Sequence, residues 1–185
     1  MDLRTVHIAA LLVACLGMFV SQIRAQQPKP GEYKVKAVYL YNFGKFVQWP
    51  EARETRDQLE PFLICVLGKN PFGGLLESTI KGEDVNGMHL SAKRVTNAAD
   101  TTGCRILFIS SSETDRLGKI LEELQSKPIL TVSDIANFCD RGGMIQFELK
   151  DEKVRFAVNM TAAEKAGLTL SSQLVKVATS VRRNP

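Results

Sequence analysis

The chain has 185 residues, 44% of them hydrophobic and 24% charged, with 24 Lys and Arg against 20 Asp and Glu. That composition excludes a wholly disordered or collagen-like polymer. A net charge of +4 with no run of five like charges gives no electrostatic footprint for nucleic acid, and the length argues one domain.

Residues 8–20 (IAALLVACLGMFV) are apolar without a break. The run is short for a bilayer-spanning helix, which needs about 20 residues, and has the length of a secretory leader's apolar core. Ile23-Arg24-Ala25 places cleavage after Ala25, making residues 1–25 a signal peptide. Leu12-Val13-Ala14-Cys15 also has the form of a lipoprotein box, but the apolar run continues beyond Cys15 to Val20, so the cleaved leader is preferred. An exported chain then meets an oxidising compartment with Cys65, Cys104 and Cys139.

Residues 26–32 are a polar, Pro-rich and flexible lead-in. The spacing predicts a helix over 33–49, with an apolar stripe of Val35, Tyr39, Phe43 and Phe46 widened by Val38 and Leu40, ending at Trp49-Pro50. A charged loop follows over 52–60. Residues 62–67 (FLICVL) predict a strand buried on both faces. The 68–74 loop (GKNPFGG) leads to a short helix over 75–80, a turn at 85–87, and a more polar strand over 89–95 near a sheet edge. Another loop spans 97–103.

A buried strand follows over 105–109 (RILFI). Ser110 and Glu113 then have capping-box spacing ahead of a helix carrying Leu117, Ile120, Leu121 and Leu124, which Lys127-Pro128 stops. Next come a strand at 129–132, a short helix to Cys139 capped by Ser133 or Asp134, and a turn at Arg141-Gly142-Gly143. Residues 144–149 and 154–159 predict a hairpin, 161–166 a helix stopped by Gly167, and 171–181 a final helix. Apolar strands alternating with helices predict an α/β chain. It is a single three-layer domain, with a mostly parallel sheet, helices on both faces and a C-terminal antiparallel hairpin.

Groups suited to catalysis are scarce. Beyond the leader the only histidine is His89, with no acid beside it in sequence, so no catalytic residue is assigned. Three scattered Cys and one His supply no zinc spacing, and no cofactor is expected. Lys69, Asn70 and Gly73 in the 68–74 loop follow a buried strand, where an anion could meet backbone N–H groups. The loop lacks both the dinucleotide and the P-loop pattern, so a simple turn is the competing and preferred reading. Ser110-Ser111-Ser112 stands at another strand end, where helix capping explains it as well. Asn159-Met160-Thr161 fits an N-glycosylation pattern at a strand–helix junction.

Cys65 lies mid-strand and Cys104 just before another strand. If those strands are neighbours a disulfide can join them; otherwise both are buried thiols. The bridge is preferred. It would close a loop of about 40 residues, worth about 3–4 kcal/mol in the chain-entropy model. Cys139 has no evident partner.

Five segments in order resemble the YfiR family of bacterial periplasmic proteins. They are the Lys36–Pro50 stretch KAVYLYNFGKFVQWP; Ile64-Cys65-Val66-Leu67-Gly68 with Asn70-Pro71-Phe72-Gly73; Cys104-Arg105-Ile106-Leu107-Phe108-Ile109-Ser110; Ile129-Leu130-Thr131-Val132-Ser133-Asp134 with Gly142-Gly143-Met144-Ile145; and Val154-Arg155-Phe156 with Asn159, Ala162-Ala163, Ala166-Gly167-Leu168 and Ser171-Ser172. The organisation read is therefore a leader over 1–25, a lead-in over 26–32, one YfiR-like domain over 33–181 and a tail over 182–185. The resemblance implies an exported regulator, often a homodimer, without catalysis. The resemblance further implies that it represses a membrane diguanylate cyclase by binding the cyclase's periplasmic sensor region, as the family's best-studied member does, lowering cyclic-di-GMP, and that an outer-membrane lipoprotein sequesters it. The family's best-studied member has a second bridge from the Cys matching Cys139 to a Cys seven residues on. Here that position is Gln146, so the second bridge is expected to be absent.

Repression by contact needs an exposed apolar patch with a polar rim. Phe138, Arg141 and Met144 in one turn, and Leu168, Leu170 and Ser171 near the chain end, are the expected partner-binding residues. Packing of both leucines on the sheet is the alternative. Two other functions compete: a periplasmic module that binds a small anionic metabolite, and a hydrolase using His89.

Overall fold

The structure is a computed structural model that describes residues 31–50 and 60–183. The expected leader, most of the lead-in, residues 51–59 of the charged loop and the last two residues lie outside this description. In chain order the helices are α1 (Glu32–Phe46), α2 (Leu75–Ile80), α3 (Leu117–Glu123), α4 (Met160–Lys165) and α5 (Ser172–Val177). The strands are β1 (Val47–Gln48), β2 (Phe62–Leu67), β3 (Asp84–Val85), β4 (Met88–Val95), β5 (Cys104–Ile109), β6 (Leu130–Ser133), β7 (Ile145–Lys150), β8 (Lys153–Asn159), β9 (Thr169–Leu170) and β10 (Ser180–Arg182).

Eight strands form one sheet in the order β10-β8-β7-β6-β5-β2-β4-β3. The pairs from β4 through β2, β5 and β6 to β7 are parallel, β7 and β8 form the expected hairpin, and β3 and β4 form a second antiparallel pair. β1 and β9 pair separately, Val47 opposite Leu170. The domain is α/β with a mostly parallel sheet, as the alternating pattern predicts.

Strand periodicity of two sends neighbouring side chains to opposite faces, and both faces are covered. Phe62, Ile64 and Val66 join Ile106, Phe108, Leu130 and Val132 in a core under α1 and α2. Cys65 and Leu67 join Leu107, Ile109, Leu117, Ile120 and Phe138 in the core under α3. This makes three layers.

Helix α1 departs from the expected stripe. Val35 and Val38 are 44% and 42% exposed, whereas Lys36, Ala37, Leu40, Phe43 and Gly44 are buried. The helix approaches the sheet through its smallest residues: a Cβ on Gly44 would lie 3.0 Å from the Val85 side chain and 3.2 Å from the Phe62 ring. Leu40 and Phe43 of the expected stripe are buried and Tyr39 and Phe46 pack against the core, so only its Val35–Val38 edge turns to solvent. α1 also ends at Phe46, because Val47 and Gln48 leave to pair with β9.

Three further expectations are corrected. The segment expected as a helix to Cys139 is a series of turns. There Ser133 Oγ accepts from Ile135 N–H and donates to the Ile109 carbonyl. The predicted 171–181 helix is only α5, and the chain then extends into β10, parallel to β8. The capping box is half formed: Ser110 Oγ accepts from Ser112 N–H, but the Glu113 carboxylate turns to Arg116 and Ser112 and a 3-10 helix (Ser111–Arg116) intervenes before α3.

Candidate functional site

The C-terminal ends of the parallel strands are closed by their own side chains. At the end of β2, Asn70 Oδ1 accepts from Phe72 N–H and Asn70 Nδ2 donates to the Gly73 carbonyl, while Lys69 N–H donates to Ser112 Oγ. Gly73 takes a positive φ of 59° with nothing within 4 Å of where its Cβ would be. Asn70 closes the turn on itself, so the geometry of Lys69, Asn70 and Gly73 favours the turn reading over an anion site.

At the end of β6, Asp134 Oδ2 accepts from the Tyr33 hydroxyl (2.7 Å) and from Lys36 Nζ (2.6 Å), which also pairs with Glu32 at 2.6 Å. Burial and the neighbouring Asp134 carboxylate raise the Tyr33 hydroxyl pKa above its ordinary value. This network ties the start of α1 to the sheet and explains why a lysine is buried in the helix face.

A different region is open. On the α3 face of the sheet a cleft of about 330 Å³ lies between α3, the 139–144 turn and α4. Its construction begins at β7. Ile145 and Phe147 point to the α1 core, so Gln146 points the other way, where its Oε1 accepts from Cys139 N–H at 3.2 Å. Cys139 is free and buried, and its Sγ lies 3.7 Å from the carbonyls of Met144 and Ala157. Burial pushes its thiol up to about 12. The expected absence of a second bridge is met by an amide that holds the turn instead.

Asn159 completes the cleft. Its Nδ2 donates to the Cys139 carbonyl at 2.9 Å, and its Oδ1 accepts from Ala162 N–H at 3.0 Å. One side chain thus caps α4 and anchors the turn. Thr131 Oγ1 accepts from Met144 N–H, and Asn159 N–H donates to the Met144 carbonyl. Phe138 packs beneath the turn, where a Cβ on Gly143 would fall inside the ring's van der Waals surface.

The expected partner-binding residues separate into two sets. Phe138, Met144, Leu168 and Leu170 are buried, so their side chains pack inward and do not form an exposed apolar patch. Leu168 and Leu170 pack in the α1 core, the alternative reading, because β9 is held against β1. Arg141 is exposed and donates from Nη2 to the Thr114 carbonyl. Ser171 caps α5, accepting from Leu174 N–H. Arg141 and Met144 line the cleft; Leu168, Leu170 and Ser171 do not.

Sequence reasoning missed Thr131, Asn159 and Lys165 as cleft residues. Asn159 did carry a signal: an asparagine between a strand and a helix is a natural N-cap. His89 is exposed on the β3–β4 hairpin, with β2 and β5 between its strand and the cleft-side strands. Among the described residues no group of three or more His, Cys, Asp or Glu is placed to hold a metal ion.

The disulfide is formed. β2 and β5 are neighbours, and Cys65 and Cys104 are bonded across them with Cα atoms 5.9 Å apart. Among the described residues no helix is long and apolar enough to cross a membrane.

A family model described as YfiR/HmsC-like matches residues 33–179. Two solved structures resemble the chain. A conserved domain protein from Vibrio cholerae O1 biovar eltor str. N16961 is 14% identical with a TM-score of 0.46, over 65% of this chain and 54% of that one. An ABC domain in complex with L-Trp from Streptococcus pneumoniae is 12% identical with a TM-score of 0.46, over 65% of this chain and 55% of that one. The chain spans about half the length of these structures, and neither likeness carries an argument about function.

Proposed function

We propose a function from the premise that this chain belongs to the YfiR/HmsC-like family, whose model covers residues 33–179. That family is one of regulators, generally without enzymatic activity. The chain acts in the periplasm as an inhibitory binding protein. It engages the periplasmic sensor region of a membrane diguanylate cyclase and lowers cyclic-di-GMP, and an outer-membrane lipoprotein relieves the inhibition by sequestering it.

The family match carries this reading. The Cys65–Cys104 disulfide supports the compartment, because such bonds persist where the medium is oxidising. The contact surface has to be drawn again, since most of the expected apolar positions are buried. Among the described residues the exposed large hydrophobics are Val35, Val38, Leu149, Val177 and Val181, on α1, β7, α5 and β10. Leu149, Val177 and Val181 at the β7–β8–β10 end, with Arg141 and Ser171, are the proposed partner-facing positions, and a second copy of the chain would compete for the same surface.

Deleting the gene is expected to raise cyclic-di-GMP, and supplying the wild-type chain to lower it again. A folded Val177→Asp, Val181→Asp variant is expected to lose that repression and to lose binding to the purified sensor region. An unchanged cyclic-di-GMP level in the deletion strain would defeat the regulatory reading. Full repression by the double variant would defeat only the choice of surface.

A further inference from the structure

We propose that the cleft between α3, the 139–144 turn and α4 binds a small organic carboxylate with an apolar body. The inference stands on the cleft itself and does not require the regulatory reading. Its volume of about 330 Å³ lies at the small end of ligand sites, which run roughly 300–1,000 Å³.

The cleft is preformed. Asn159 holds both of its walls, the turn through the Cys139 carbonyl and α4 through Ala162 N–H, and is itself buried with 5% exposure. A site whose walls are already fixed loses less conformational freedom when a ligand enters. The lining mixes polar groups with the apolar residues Leu121, Leu124, Met144 and Ala166, of which Leu121 is half-buried and the others show only an edge. Such surface favours an apolar body.

Four ionised groups line the cleft: Arg141, Lys165, Glu122 and Asp140. Asp140 is already paired with Arg182. Lys165 has no ion-pair or hydrogen-bond partner among the described residues. Arg141 gives one N–H to the Thr114 carbonyl, which leaves the rest of its fork to bind a carboxylate. Two cations against Glu122 leave one positive charge for an occupant to neutralise. That sum suits a monoanion better than a neutral sugar, a cation or a dianion.

The test uses the purified, isotope-labelled exported chain and three carboxylates, benzoate, 3-phenylpropanoate and 4-methylpentanoate, each against its primary amide. Saturable NMR shifts are expected for at least one carboxylate, confined to cleft amides such as Gly118, Ser126, Gly142 and Thr161. The matching amide is expected to bind about tenfold more weakly, the effect of losing a charge-assisted hydrogen bond. Arg141→Ala with Lys165→Ala is expected to weaken the carboxylate by a similar factor, and Glu122→Gln to tighten it. Both sets of positions are exposed, and an unchanged spectrum outside the cleft verifies folding. Absence of saturable cleft shifts with all three carboxylates overturns the proposal. So does equal binding of acid and amide, or undiminished binding by the double variant.

Discussion

The two ends of the sheet are held together by different means. β2 and β5 are parallel neighbours, apolar on both faces and joined by a disulfide. From β7 through β8 to β10 only the α1 face is apolar. On the α3 face, Gln146, Asn159 and the Cys139 turn replace the oily layer with hydrogen bonds, and the cleft lies beside them. Apolar packing leaves no room for a ligand and asks for no particular partner. A hydrogen-bonded turn can enclose space, because its walls are positioned by directional bonds and not by filling volume. A second cleft of about 330 Å³, beside Trp49, Thr101 and Lys127, lies at the N-terminal ends of β2, β5 and β6.

The largest expected effect breaks the parallel end. Replacing Cys65 and Cys104 by Ala should lower stability by about 3–4 kcal/mol, the chain-entropy figure for a sequence separation of 39. Urea unfolding checks it, and a loss below about 1 kcal/mol would mean that packing alone holds that end. Next is Gly143→Ala, which drives a methyl group into the buried Phe138 ring. The expected cost is about 3 kcal/mol, at the upper part of the overpacking range. Asn159→Ala removes a helix cap and leaves the Cys139 carbonyl without its amide donor. About 2 kcal/mol is expected, together with faster hydrogen exchange in the 139–144 turn but not in β2 or β5.

Smaller effects sharpen the contrast. Arg182→Ala breaks the Asp140 pair, whose side chains are 45% and 43% exposed, so under about 1 kcal/mol of global stability should be lost. The amides of β10 should nevertheless exchange faster, since that pair and the short ladder to β8 hold the strand. The Cys139 thiol should give no pH dependence of stability near neutrality. Its pKa is pushed up to about 12 by burial, so the folded chain holds this proton more tightly than the unfolded chain does. The corresponding stability is fully present below the ordinary thiol range near 9, and it is lost as pH rises toward 12. Urea unfolding at pH 7.5 and pH 10 should show a fall in the wild type that Cys139→Ala lacks.

Much of this architecture was legible in the chain. The runs at 62–67 and 106–109 are apolar at every position, which only a strand covered on both faces tolerates, and both fall in the strands expected. The hairpin of β7 and β8 followed from its alternation. The site was less legible. Arg141 and Met144 were singled out and do line the cleft, but Thr131 and Lys165 carried no local mark, because nothing near them in sequence says that α3 and α4 stand on either side of one turn. Leu168 and Leu170 look like an exposed pair until β9 is seen to pair with β1, 121 to 123 positions earlier in the chain.

By itself the amino-acid order determined the longer elements, the layer count and the family, since each depends on periodicity and motif content within a few dozen residues. Tertiary structure alone decided which edge of α1 faces solvent, which apolar residues are exposed, and where the chain leaves a cleft. Those outcomes depend on close approach at Gly44, on the buried Lys36 network and on long-range pairing of two-residue strands. Each is a balance of steric fit and desolvation between segments distant in sequence, and a local pattern holds no record of it.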